Sequence, residues 1–158
     1  EQCSDNKIVE NSITHGGDGV FGFAGKEALG EAPGPEGFDC TRKGCNDNLF
    51  VGNDLSYATA HGLELTFSFG NHIARNTFRG NAICGIWGGY SKDSIIVLND
   101  FIENGAAGYG LERGAVNIEH SSRNAIAVNN FVRNACGVHL WWDADEDIAA
   151  SPWAKANG

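Results

Sequence analysis

The sequence predicts an all-β fold, a right-handed, single-stranded parallel β-helix of about five coils of about 23 residues with two inserted loops. Three observations lead there. One phrase recurs five times, its apolar positions alternate with period two, and the composition disfavours long helices. The chain has 22 glycines and no methionine, and asparagine is frequent.

The phrases are NKIVENSI from Asn6, NLFVGNDL from Asn48, NHIARNTF from Asn71, SIIVLNDF from Ser94 and NAIAVNNF from Asn124. Their fixed asparagines, Asn11, Asn53, Asn76, Asn99 and Asn129, are spaced by 42, 23, 23 and 30 residues. A period of 23 with insertions of 19 and 7 accounts for all four spacings. Alternation within each phrase is the strand signature. Ile8, Phe50, Ile73, Ile96 and Ile126 form one apolar column; Ile13, Leu55, Phe78, Phe101 and Phe131 form a second. About ten residues later each phrase reaches another short strand: GVFGFAG from Gly19, GLELTFS from Gly62, GIWGGYS from Gly85, AVNIEHS from Ala115 and GVHLWWD from Gly137. No repeat can bury its apolar face alone, so stacking makes the core. The five asparagines read as structural. Asparagine tolerates the left-handed region at a turn, and stacked amides bond along the axis as a ladder.

The domain is single, residues 1–158, and reads as a short member or a fragment of a longer solenoid. The insertions, about 25–45 and 105–114, are loops; KEALGEAPGPEGFDCTRKG carries two prolines and several glycines. Cys40 and Cys45 could close a small loop there. Cys84 and Cys136 are expected unbonded, because the coil between them puts them about 9 to 10 Å apart. With no CxxC pair, a zinc site is not expected.

The five asparagine-centred phrases and their Gly-Val/Ile/Leu second strands, from Asn6 to about Asp143, resemble the right-handed parallel β-helix repeat superfamily, of the carbohydrate-binding, sugar-hydrolase and pectate-lyase-like type. That resemblance implies a solenoid. It also implies a function among polysaccharide lyases, glycoside hydrolases, epimerases and non-catalytic β-helices.

Aligning the second strands defines a face. Val20, Leu63, Ile86, Val116 and Val138 point inward, as do Gly22, Leu65, Gly88, Ile118 and Leu140. Alternation turns two columns outward: Phe21, Glu64, Trp87, Asn117 and His139, then Phe23, Thr66, Gly89, Glu119 and Trp141. Flat indoles beside carboxylates and amides suit a sugar, whose C–H faces stack while its hydroxyls bond. The candidate catalytic residues are therefore Glu64, Glu119 and His139, with Glu119 and His139 close enough to pair. The candidate substrate contacts are Trp87, Asn117, Trp141, Tyr90 and Trp142. Phe67, Tyr90, His120 and Trp142 fall at a turn where alternation fails, so their direction stays open.

The net charge of -9 and pI near 4.8 argue against nucleic acid or an anionic membrane as partner. A polysaccharide or oligosaccharide is the expected partner, with self-association through exposed solenoid ends as a further one. The expected placement is secreted or periplasmic. No cofactor or metal is expected; the run Asp143, Asp145, Glu146, Asp147 reads as solvated, with calcium the one ion it leaves open. Glycoside hydrolysis ranks first, a non-catalytic glycan-binding or structural β-helix second. A lyase or uronate epimerase ranks third, because neither outward column carries a lysine or arginine.

Overall fold

The structure, a computed structural model, describes residues 3–23, 32 and 44–157. Five coils stack as a parallel β-helix. The first holds β1 (Lys7–Val9) and β2 (Val20–Gly22), the second β3 (Leu49–Val51) and β4 (His61–Leu65). The third holds β5 (His72–Ala74), β6 (Thr77–Arg79) and β7 (Cys84–Gly89). The fourth holds β8 (Ile95–Val97), β9 (Asp100–Ile102) and β10 (Gly114–Glu119). The fifth holds β11 (Ala125–Ala127), β12 (Asn130–Val132) and β13 (Val138–Trp141). Two short helices follow, α1 (Glu146–Ala150) and α2 (Pro152–Asn157).

Like strands of successive coils pair in parallel and form three sheets, in the orders β1-β3-β5-β8-β11, β6-β9-β12 and β2-β4-β7-β10-β13. The register matches the alignment of the phrases. Ile8, Phe50, Ile73, Ile96 and Ile126 are successive partners in the first sheet. Phe78, Phe101 and Phe131 are partners in the second, with rings stacked 4.8 and 5.2 Å apart. Both columns line one continuous apolar core with Leu55, Leu63, Leu65, Ile86 and Val116.

The asparagines form the expected ladder, and more than one. Nδ2 of Asn11, Asn53, Asn76 and Asn99 each donates to Oδ1 of the asparagine on the next coil at 2.9 to 3.0 Å. The same Oδ1 also accepts the backbone N–H of the preceding coil's asparagine. Asn81, Asn104 and Asn134 make another ladder at the following corner. One expectation changes. The left-handed residue at this corner is the one before the asparagine: Glu10, Gly52, Arg75, Leu98 and Val128 have φ between 55° and 67°. The asparagine holds the corner through its side chain while its neighbour takes the strained backbone.

The turn after the third sheet, whose direction alternation left open, is an aromatic stack. Phe67, Tyr90 and His120 are all left-handed, at φ 48°, 55° and 44°. Their rings stack at 4.8 and 4.9 Å, and Trp142 lies 6.0 Å beyond His120. Ile148 and Ala154 of the tail pack against Phe67, Phe69 and Tyr90. The tail is helical where the sequence suggested only solvated charge. The Asp145 carboxylate accepts the Ile148 N–H and caps α1, and Pro152 opens α2, where a missing N–H is harmless.

Cys84 and Cys136 are not bonded to each other. Cys40 lies outside the described residues, and Cys45 is buried with a free thiol. Most of the first insertion also lies outside them.

Candidate functional site

The outward columns of the third sheet lie where alternation put them. Phe21, Glu64, Trp87, Asn117 and His139 are successive register partners, and Glu119 pairs with Gly89 and Trp141. The face is far less open than alternation alone suggests. Asn117 has no exposure and Glu119 only 8%. The cause is the second insertion. A tight turn held by two Tyr109–Glu112 backbone bonds folds over the sheet, and Asn117 Nδ2 donates to Leu111 O at 2.9 Å. Asn117 Oδ1 accepts Trp141 Nε1–H at 2.7 Å, and His139 Nδ1 lies 3.2 Å from Nδ2. Asn117 is therefore a bracket between loop and sheet, with its amide fully used.

Glu119 and His139 are not brought together. Glu119 Oε1 instead lies 3.3 Å from the Tyr90 hydroxyl, which also faces Asp145 Oδ2 at 3.1 Å. Burial raises the Glu119 carboxyl to about 7, with the His120 charge opposing. Trp142 is 73% exposed at the end of the aromatic stack. Tyr90, His120, Trp141 and Trp142, together with Ile148 and Ala154 of the tail, line a cavity of about 790 Å³.

The densest chemistry lies one step earlier on the face. His61 opens β4, is 5% exposed and stacks on Trp87 at 5.7 Å. Its Nε2 lies 3.9 Å from Glu64 Oε2 and 3.8 Å from Glu112 Oε2. Asp18 accepts the His61 backbone N–H at 3.0 Å. Donor atoms of Asp18, His61 and Glu64 all lie within 4.8 Å of one another. Burial lowers the His61 pKa, with Asp18 opposing, so near neutral pH the imidazole brings no charge. Burial also raises Glu64 to about 7, reinforced by Asp18 and Glu112, and raises Glu112. Among the described residues no lysine or arginine pairs with these three acids. His61 Nδ1 is buried without a hydrogen-bond partner, as are Trp87 Nε1 and Thr66 Oγ1.

A second group, Glu119, His120 and Asp143, has the same span of 4.8 Å. There His120 Nε2 lies 3.0 Å from Asp143 Oδ1 and 3.2 Å from the Asp143 backbone nitrogen, so this imidazole nitrogen already has a partner in Asp143. The sequence reading contained Glu64 but missed His61, Asp18 and Glu112. The repeat was counted only from Gly62, whose neighbours leave no room for a side chain (a Cβ there would lie 2.7 Å from Leu55 O and 2.8 Å from Gly85 O), whereas β4 begins one residue earlier at His61. Asp18 and Glu112 come from another coil and from an insertion, so no local spacing signals them.

Among the described residues no helix is long and apolar enough to cross a membrane. No curated protein and no solved structure gives a match. One family model does: periplasmic copper-binding protein (NosD), over residues 41–148, more than half of the 158. The expected absence of a metal is thus opposed by the family's own description. The residues present fit copper as the divalent ion. A buried imidazole whose Nε2 faces carboxylates is a nitrogen–oxygen donor set suited to Cu(II), whereas the thioethers that favour Cu(I) are missing from a chain without methionine. The chain belongs to the periplasmic copper-binding protein (NosD) family, whose periplasmic placement agrees with that expected from the sequence.

Proposed function

We propose that this protein binds a divalent transition-metal ion on the outward face of its third sheet, through His61, Glu64 and Asp18. The observation that carries the reading is buried His61, whose Nε2 lies 3.9 and 3.8 Å from Glu64 and Glu112 and whose Nδ1 has no hydrogen-bond partner, in an acidic cluster with no opposing cation among the described residues. A buried polar atom without a partner costs about 1 to 3 kcal/mol, and buried carboxylates repel one another. A bound ion would supply the missing positive charge and a partner for the imidazole. His61 would provide the nitrogen donor, Glu64 and Asp18 the oxygens, and the Trp87 ring packed on His61 would hold the imidazole plane. The family description supports copper as that ion. Calorimetric titration with Cu(II) should give one site per chain, which His61→Gln abolishes and Asp18→Asn weakens. Unchanged titration of His61→Gln would refute the assignment.

A second reading keeps the face for a polysaccharide, with the chain acting as a glycoside hydrolase. It is favoured by one observation: Glu64 and Glu119, both raised to about 7, lie on either side of Trp87. Two carboxyls that are each part-protonated near neutral pH could supply the acid and the base that glycosidic cleavage needs, with an indole as platform. Reducing-sugar release from a polysaccharide panel, lost in Glu119→Gln and independent of added metal, would favour this reading over the first. No release from any of them would leave the metal reading alone.

A further inference from the structure

We propose that the two ends of the solenoid are a matched pair, and that the chain associates head to tail with a second copy, whose first coil stacks on the fifth coil as a sixth. The three sheets end at β11, β12 and β13, so among the described residues each leaves a strand edge unpaired at that end; β1 and β2 leave theirs at the other. The fifth coil also leaves its inward column uncovered. Val138 and Leu140 are 38% and 67% exposed, whereas their register partners on the fourth coil, Val116 and Ile118, are 0% and 7% exposed. The tail does not close that end. It runs back along the side, where Ile148 and Ala154 pack against Phe67, Phe69 and Tyr90 of the second and third coils.

The polarity of the asparagine columns identifies the partner. Within the stack, each asparagine donates its backbone N–H and Nδ2 to Oδ1 of the next coil. The last coil therefore keeps donors and the first keeps acceptors. Asn129 Nδ2 bonds Ile96 O, Asn124 Nδ2 bonds Ser91 O, and among the described residues neither has a partner ahead of it. At the other end Asn6 and Asn11 are exposed. They donate to Asn48 and Asn53, and among the described residues their own Oδ1 atoms accept nothing. Asn6 and Asn124 are the first and last members of one column, Asn11 and Asn129 of another.

A second copy set one coil ahead, at the spacing of about 4.8 Å between parallel strands, puts those two acceptors on the waiting donors. The same placement continues three apolar columns: Ile8 meets Ile126, Ile13 meets Phe131 and Val20 meets Val138. Charge agrees as well. Asp5, Asp47, Asp93 and Arg123 occupy the same left-handed corner of their coils. Asp5 of the second copy thus comes beside Arg123, whose guanidinium already pairs with Asp93 on its other side. Each contact uses one head and one tail, so it does not close, and copies add in a line.

The test is analytical ultracentrifugation of the full chain, reduced and with a chelator present, so that neither disulfides nor metal ions link copies. The weight-average mass should rise with concentration from the 16.8 kDa of one chain, with no plateau at a dimer. Leu140→Lys puts a cation on the last coil, and Asn11→Lys replaces the acceptor on the first with one. Each variant alone should stay a single chain while thermal melting shows it folded; Val138→Lys and Asn6→Lys serve as second variants at the two ends. An equimolar mixture of Leu140→Lys and Asn11→Lys should form dimers and nothing larger, because one intact head meets one intact tail. A parent chain that is monomeric at every concentration, or whose mass levels off at a dimer, would overturn the proposal. So would association retained by folded variants of either end, or a mixture that stays monomeric.

Discussion

The asparagine ladders and the outward face of the third sheet are built from the same coils at the same spacing, and they treat polar groups in opposite ways. In the ladder, buried Asn76 uses both amide atoms. Its Nδ2 reaches Phe50 O and Asn99 Oδ1, while its Oδ1 takes the N–H and Nδ2 of Asn53. On the face, His61, Thr66 and Trp87 each bury a polar atom without any partner. A ladder can be saturated because each amide finds an identical one a coil away. The face changes residue at every coil, from Glu64 to Trp87 to Asn117 to His139. Unsatisfied groups persist there at a stability cost, which supports the proposed binding role of this face.

That contrast can be broken first in the ladder. Asn76→Ala removes four hydrogen bonds and leaves the Asn53 N–H and the Phe50 carbonyl without these partners, while Asn53 Nδ2 keeps Ile8 O and Asn99 Oδ1 keeps the backbone N–H of residue 76; at about 1 to 3 kcal/mol for each buried unpaired group, a loss of about 2 to 6 kcal/mol is expected by chemical denaturation. A loss below about 1 kcal/mol would mean the coils are held by their apolar columns alone.

Glu119→Gln sharpens the other side through pH. The folded chain protonates Glu119 at about 7, against an ordinary 4.5. The folded state therefore binds the proton more tightly, and stability from this group is fully present below pH 4.5 and is lost as pH rises to 7. Glutamine cannot ionise, so the variant should gain on the parent chain by about 3 kcal/mol between pH 4.5 and pH 8. Parallel pH–stability curves for the two proteins would show that Glu119 is ionised at little cost.

A smaller gain is expected at the corners. Val128, at φ 55° and 78% exposed, occupies the corner position that Gly52 fills in the second coil. A β-branched residue is strained there, so Val128→Gly should stabilise by roughly 0.5 to 1 kcal/mol. His61→Gln should change stability least, within about 0.5 kcal/mol, because Nδ1 has no hydrogen bond to lose and Nε2 lies 3.8 and 3.9 Å from Glu112 and Glu64, beyond hydrogen-bond distance.

The coils and the face were legible because both depend on periodicity. Ile8 to Ile126 and Glu64 to His139 stack in the register that spacing alone implies. The burial of Asn117 was not legible, since it is imposed by the Leu111 carbonyl of an inserted loop. His61 was hidden because the second strand of that coil was read only from Gly62, whereas β4 begins at His61. The tail helices escaped notice because Asp145 reads as surface charge and acts as a cap.

The central claim is that an imidazole at position 61 holds the metal. Electron paramagnetic resonance of the chain loaded with one equivalent of Cu(II) tests it most directly. The account predicts nitrogen superhyperfine coupling from one imidazole, absent in His61→Gln and unchanged in His139→Gln and His120→Gln. An unaltered spectrum in His61→Gln, or coupling that vanishes with His120, would contradict it.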